Sequence, residues 1–566
     1  MKRFVALILA MGTLALAGCS SVAKLVPGSV VNVAVVASMI SLNPDVVTTT
    51  SAQKLADEVS NLTSEQFYSL DAAGKLVANK DFGTVTVNSQ SPFTVTYEVA
   101  AGRKWSDGQP IDAADLALSF AAATNPTDVN FYSERAGTGL QYASVKTVGL
   151  RALTLTFSQP IPGWQTALPV FVPAHIVAGV AFDGVTAARA KAMVIEALQS
   201  KDNQRLKKLA EAYRTVYQVG LDGVSSQAFV TSGAYTITSV TKDAVVALEA
   251  NKGFQGLNKP VAEKVNVKLY TDSMAALNDM NLGSVDIIGA TESGLVKYSD
   301  LVNMVSSLTT MKANTVLRNG SNVDMVLFNF GPGAALNSIG LRKAFMLLVP
   351  QAQIVAKESQ DAAVTAANSL VFTSDSDYYD SSVSYNGSDA FLMQDVQQAA
   401  NLVKAAVGKK SLDVRVMYDS TNPRSVAEYK LIAQRAASAG FNLLDVSMPS
   451  PSTQLLAGNY DVYIGPRDLV GVVGHDPASL IADRVNRYSD PGVAALLVDF
   501  ANAKKAVDAA KVLEKIDARL YATGYGLPLY RVPNLIIYRS KLTQLQVSPY
   551  ADSATWGYWS WSVAAK

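Results

Sequence analysis

The chain is 566 residues long, 49% hydrophobic and 17% charged, with 48 basic and 47 acidic side chains and a net charge of +1. Removing Lys2 and Arg3 with an N-terminal leader takes the 48 basic groups to 46 against 47 acidic ones, a balance with no electrostatic footprint for nucleic acid or anionic lipid. The length suffices for three or four structural units, whereas two distant histidines, His175 and His475, and one cysteine give a metal site or a Ser-His-Asp centre little to work with.

The first residues read as a targeting segment. Lys2 and Arg3 precede an apolar run from Phe4 to Leu14, and Leu16-Ala17-Gly18-Cys19 follows; a basic start, a short apolar stretch and a small-residue site make a secretory signal. The run is too short to span a bilayer, which takes ~20 apolar residues, and no later segment is long and apolar enough to be a second span. Leu-Ala-Gly-Cys resembles the lipobox of bacterial lipoproteins, which implies that Cys19 becomes the first mature residue and carries lipid on its sulfur. Two or more acyl chains hold a protein stably at a membrane, where one does so marginally. The expected location is therefore extracytoplasmic, at the outer face of the cytoplasmic membrane, lipid-anchored and without disulfides.

Past the leader the pattern is mixed α/β. Strand-like runs are expected at Val31 to Val36, at Phe93 to Val99 with clean alternation, at Leu153 to Phe157, Tyr235 to Val240, Val265 to Tyr270, Met325 to Phe330, Val414 to Met417 and Tyr460 to Ile464. In "KWSDGQPIDAADLALSF", Asp107-Gly108 is a turn pair, and Asp112 sits at an N-cap with Asp115 three residues on. Ile111 and Leu116 are spaced as a hydrophobic staple, so the two carboxylates have a capping job and not a catalytic one. A helical pattern from Ala187 to Tyr217 breaks near Lys201-Asp202-Asn203, and Leu513, Ile516 and Leu520 share one face of a late helix.

Loops are expected near Asn319 to Asn322 and from Ser374 to Asn386. The second carries Asp375, Asp377 and Asp380 but lacks the glycine and closing glutamate of a calcium loop, so it reads as solvated. "GPGAAL" at Gly331 lacks a third glycine and holds a proline with no N–H for a phosphate. No motif for a nucleophile, a metal or a cofactor is found, and the chain is read as a non-enzyme without cofactor or metal.

"YEVAAGRKWSDGQPIDAADLALSF", Tyr97 to Phe120, closely resembles the signature block of the family-5 extracellular solute-binding proteins, which include the oligopeptide- and dipeptide-binding components of ABC importers. Further blocks follow in that family's order. They are "VVNVAVVASMISLNPDVV", "FVTSGAYTITSV", "VNVKLYTDSMAALNDMNLGSVDII", "MVLFNFGPGAALNSIGLRKAFMLLV" and "GLPLYRVPNLIIY". The resemblance implies an α/β, two-lobed, hinged binding protein of the periplasmic-binding-protein type with an extra subdomain in the first lobe. Mapped onto this chain, residues 1–19 are the leader and lipidated cysteine, and 20–67, 221–318 and 535–566 form the first lobe. The extra subdomain takes 68–220, and the second lobe takes 319–534, with crossings near Arg318 to Asn322 and Tyr530 to Asn534.

The same resemblance implies a short peptide as ligand and ABC permease subunits as partners of a monomer. Relatives that take peptides carry an aspartate for the peptide amine in a Gly-Trp-x-x-Asp-like segment. Here "YDVYIGPRDLVGVVGHDPASL" lacks the tryptophan and departs in spacing. Gly465, Arg467 and Asp468 in this segment are the expected contacts of the second lobe, with Asp468 as the amine partner or, equally, paired locally with Arg467. Ser38 and Met39, after the first strand, are their counterparts in the first lobe. Carbohydrate is the alternative ligand, since 23 tyrosines leave aromatic platforms open. A lipoprotein that has lost transport and serves as a structural or signalling partner is the alternative role.

Overall fold

The computed structural model describes residues 24–37, 41–46, 50–72, 76–124, 131, 133, 143–157, 164–219, 229–241, 245–292, 312–358, 364–408, 411–449, 451–468, 485–503, 506–548 and 553–563. Among these, ten strands join in one mixed sheet. From edge to edge it runs β14 (Phe441–Asp445), β13 (Leu412–Tyr418), β15 (Val462–Asp468), β12 (Ala313–Phe328), β16 (Gly526–Arg539), β11 (Ile287–Glu292), β1 (Val26–Val36), β10 (Ala262–Tyr270), β9 (Val245–Ala250) and β8 (Tyr235–Val240). A second sheet is ordered β4 (Gly83–Gln90), β5 (Phe93–Val99), β7 (Ala152–Phe157), β6 (Ala143–Val148), and β2 (Tyr68–Leu70) pairs with β3 (Leu76–Ala78).

The burial of each strand follows its place in these sheets. β1 lies between β10 and β11, parallel to both, and its unbroken apolar run Val33-Ala34-Val35 is buried on both faces, as a central parallel strand requires. β5 buries alternate residues Phe93, Val95, Tyr97 and Val99, the period-2 pattern of a strand with one face on a core.

Two large apolar cores divide the chain. One gathers residues from Val31 to Ile287 and returns with Ile536 to Trp561, while the other runs from Met325 to Tyr530. A smaller layer of Ala34, Tyr270, Met280, Ile288, Leu535 and Ile537 covers the sheet beside the first. The four-stranded sheet and the helices Ala174–Ala181, Ala187–Ser200 and Asn203–Thr215 share the first core with β1 and β10, so among the described residues these elements and the large sheet bury one common core.

Among the described residues, β16 carries Ile536 in the first core and Leu527, Leu529 and Tyr530 in the second, and β12 runs beside it from Ala313 on the smaller layer to Met325–Phe328 in the second core. They are antiparallel neighbours, in register from Ala313↔Arg539 to Asn319↔Pro533, and then again from Val323↔Arg531, with a second shift between Asp324 and Met325. The breaks have a chemical cause. Pro533 faces Asn319 and Pro528 faces Met325, and a proline has no N–H to give to the ladder. The Asn319 to Asn322 segment, expected as a loop, is thus bulged strand, because its polar residues sit opposite a proline inside a pairing that long-range contacts enforce.

Local signals elsewhere are met closely. Asp112 Oδ1 accepts the Ala114 N–H at 2.9 Å and Asp115 Oδ2 accepts the Asp112 N–H at 2.8 Å, a reciprocal cap at the start of the helix Ala113–Thr124. Lys191 Nζ joins them at 3.0 Å from Asp112 and 3.1 Å from Asp115. Lys201 takes the left-handed conformation that ends one helix, and Asp202 caps the next by accepting from Gln204 and Arg205 N–H, both at 3.1 Å.

Candidate functional site

The band of β12 and β16 between the two cores is where strand ends from both sides meet. β11 runs parallel to β1 and ends with Glu292 opposite Asn534, which itself faces Arg318. From the other side β15, parallel to β13, ends with Asp468 opposite Asn322. In sheets with parallel strands, the carboxyl ends are where backbone and loop groups are free to meet a ligand. The sequence-derived candidates fall on this band to different extents. Ser38 and Met39 lie outside the described residues, directly after Ala37, whose N–H reaches the Tyr270 carbonyl at 3.2 Å. Cys19, His475 and the 469–484 part of the aspartate segment also lie outside them.

Gly465 is buried opposite Met325, and a Cβ there would stand 2.4 Å from the Tyr463 hydroxyl. Its hydrogen side chain lets that ring fold back over the strand, so the glycine shapes the wall. Arg467 is half-buried opposite Val323. Burial pushes the Tyr525 phenol up to about 12 and those of Tyr460 and Tyr463 further, and the Arg467 charge opposes the rise at all three. A guanidinium among buried hydroxyls at the end of β15 is therefore what the sequence-derived trio presents, together with the Asp468 backbone.

Asp461, the second residue of the quoted aspartate segment, is committed elsewhere. Arg415 grips its carboxylate with Nε at 3.0 Å and Nη2 at 2.9 Å, and the Ala335 and Arg415 N–H groups add bonds of 3.0 and 2.8 Å. Burial pushes this carboxyl up, but the Arg415 side chain and the two N–H donors outweigh it and hold it below the usual range. Asp461 therefore ties β13 to the turn after β12 and is structural.

The largest feature that sequence reading missed is a buried charge cluster where β12 and β16 meet the helix Pro423–Ala436. Asp324 Oδ2 accepts from Arg424 Nε at 2.9 Å and from the Tyr530 hydroxyl at 3.0 Å, and Tyr530 also lies 2.8 Å from Glu428 Oε1. All four are nearly inaccessible to solvent. Burial first, and the Asp324 charge second, push Glu428 well above the ordinary carboxyl range, against the pull of Arg424 and Tyr530. Glu428 accordingly keeps its proton to higher pH than an exposed glutamate does. The only cue in the sequence is an aspartate inside the apolar run "VDMVLF", at a position where an unpaired charge would be costly.

Arg531, on the same strand, donates from Nε to the Gly320 carbonyl at 2.6 Å and pairs with Asp375. It thereby braces β16 to the bulge in β12. Asp375, one of the three aspartates considered for a cation, is thus an ion-pair partner, and no cluster of three or more metal-ligating acids, histidines or cysteines occurs among the described residues.

Because a raised carboxyl pKa in the folded state means extra bound protons, Glu428 contributes most to stability below its unfolded pKa of about 4.3 and loses that contribution as pH rises through its folded pKa. Glu428→Gln keeps the shape and removes the titration. Its melting temperature should match the wild type near about pH 4 and exceed it increasingly toward about pH 8. A gap between the two proteins that stays constant with pH would show that Glu428 titrates as it does in the unfolded chain.

The family model described as bacterial extracellular solute-binding proteins, family 5, middle region, matches residues 64–482. An uncharacterised lipoprotein of Mycobacterium tuberculosis is 24% identical over 517 residues, covering 87% of this chain and 86% of that one. Among solved structures, the periplasmic EDTA-binding protein EppA superposes with a TM-score of 0.75 at 20% identity, over 95% of this chain and 97% of that one. The oligopeptide-binding protein AppA of Bacillus subtilis, solved with a nonapeptide, gives 0.69 at 13% identity over 96% and 100%. These likenesses establish the two-lobed fold of periplasmic binding proteins.

Proposed function

Because the chain belongs to the family-5 bacterial extracellular solute-binding proteins, the substrate-binding components of ABC importers, we propose that it captures a short peptide by closing its two lobes and delivers it to permease subunits while tethered through lipid on Cys19. The first lobe takes 20–67, 221–318 and 535–566 with the subdomain 68–220, and the second takes 319–534. The observation that carries this reading is the convergence of strand ends from two separate cores on the β12–β16 band. Two strands crossing between cores, their pairing broken beside Pro533 and Pro528 of β16, suit rigid-body closure in which a few backbone dihedrals absorb the change.

An extended peptide offers a donor and an acceptor at each residue, which backbone at strand ends can pair as an added strand does. Closure excludes water and strengthens each of those bonds. On this reading Ser38 and Met39 contact the ligand from the first lobe and Gly465, Arg467 and Asp468 from the second. The protein works as a monomer at the outer face of the cytoplasmic membrane. The lipoprotein relative supports the anchor, and no helix among the described residues is long and apolar enough to cross a membrane.

A ligand shifts the open and closed populations only by its differential affinity for the closed state. Mass spectrometry of small molecules released from the purified protein identifies the ligand, with peptides, sugars and metal chelates as the panel. The ligand so found should raise the melting temperature and lower the radius of gyration in small-angle scattering. Stabilisation without compaction would overturn the closing mechanism, and release of a sugar would replace the peptide. A protein that copurifies with nothing and responds to none of the panel would favour a structural or signalling role.

A further inference from the structure

The end of the large sheet opposite the crossing band carries a surface that the balanced whole-chain charge conceals. β1 begins there, and over its 11 residues it climbs roughly 33 Å to the band, at about 3.3 Å per step. Beside its start lies an open groove of about 500 Å³ with Lys24, Leu25, Lys252, Phe254 and Lys259 among its lining residues. Lys24 and Lys252 are exposed, whereas Lys259 is half-buried, donates from Nζ to the Phe254 carbonyl at 2.8 Å and stands 5.2 Å from the centre of the Phe254 ring. In the same loop Leu257 is 73% exposed, one of the most exposed large apolar side chains in the described protein. Of the acids next to this end, Glu263 accepts the Gly28 N–H and the buried Glu65 feels the Lys259 charge.

We propose that this face docks on anionic phospholipid headgroups, with Lys24, Lys252 and Lys259 at the phosphate level and Leu257 in the interface. The inference rests on the reading of Cys19 as the lipid-bearing residue. Five residue steps separate Cys19 from Lys24, at most roughly 18 Å of extended chain, so a lipid on Cys19 holds this end of the molecule against the bilayer. A polybasic patch beside an acyl anchor is the second signal that turns tethering into oriented contact, and each lysine near an anionic surface strengthens binding about fivefold.

The test uses the full lipidated protein in vesicles. With Cys19 acylated, Leu257→Cys provides a single thiol for an environment-sensitive fluorophore, and Met393→Cys, 78% exposed on the second lobe, provides the control. Quenching by a nitroxide-headgroup lipid in vesicles containing phosphatidylglycerol should be at least about fivefold stronger at 257 than at 393. It should fall to the control level in pure phosphatidylcholine vesicles, at salt that shortens the Debye length to about 3 Å, and in Lys24→Gln/Lys252→Gln/Lys259→Gln. The lipid and salt arms need no variant at the lysines, so they hold even if the loop is disturbed by losing Lys259.

Flotation of the vesicles reports the anchor independently. Protein that co-floats but is quenched equally at both positions, or equally in neutral and anionic vesicles, overturns the docking and leaves the anchor. Protein that does not co-float overturns the lipoprotein reading and the docking with it. Protection of position 257 that appears in native membranes but never in lipid vesicles would assign the face to a protein partner and overturn the lipid assignment.

Discussion

Asp468→Asn should weaken binding of a free-amine peptide by at least about thirtyfold, because truncating one partner of a buried, hydrogen-bonded charge pair costs ~2–5 kcal/mol. The residue closes β15 opposite Asn322, on the band where the strand ends converge, so a peptide amine placed there would be shielded once the lobes shut. The substitution keeps the shape and removes the charge. Acetylating the peptide amine should cost the wild type a comparable amount and add very little in the variant, since the two changes remove one interaction. Isothermal titration of the four combinations reads this directly. Additive losses would show that Asp468 does not meet the amine, leaving its local pairing with Arg467 as its role. A neutral sugar has no charge to lose, and its affinity should change far less.

The second large effect is expected in stability, at Glu58→Ala. Glu58, 2% exposed on the helix Thr50–Thr63, receives the C-terminal return of the chain. Its carboxylate accepts from Ser553 Oγ and Ala554 N–H at 2.8 Å and from Thr555 N–H at 2.9 Å, and its carbonyl accepts from Thr555 Oγ1 at 2.8 Å. Alanine would leave two buried N–H groups and a hydroxyl without their acceptor, at about 1–3 kcal/mol each. A total loss of roughly 3–5 kcal/mol places this among the severe single substitutions.

The effect should be local to the first core, in which Tyr558 and Trp561 of the tail are packed. Three of the five tryptophans, Trp556, Trp559 and Trp561, lie in that tail, so tryptophan fluorescence in urea reports its release. Trp559 and the residues around it should become sensitive to protease at urea concentrations where the second core stays protected. Unchanged fluorescence midpoint and unchanged cleavage would show that apolar packing alone holds the tail.

What the sequence could determine by itself was whatever rests on neighbours in the chain. The alternation of Phe93 to Val99, the reciprocal cap at Asp112 and Asp115 and the helix break at Lys201-Asp202 involve residues at most a few positions apart, and the backbone obeys those spacings directly. The order of six short blocks was equally legible, and it led to the family and the fold.

Pairings over long separations were decided only by the tertiary structure. Asp324 lies 100 positions from Arg424 and 206 from Tyr530, and Glu58 lies about 495 from Ser553, so no periodicity announces that they touch. Asn319 to Asn322 looked like a loop because polar residues favour turns locally, yet pairing with β16 holds them in a bulged strand whose breaks face Pro533 and Pro528. Whole-chain charge likewise averaged away the lysines at the start of β1. A net charge sums over the molecule, whereas a surface potential depends on which side chains the fold brings within a Debye length of one another.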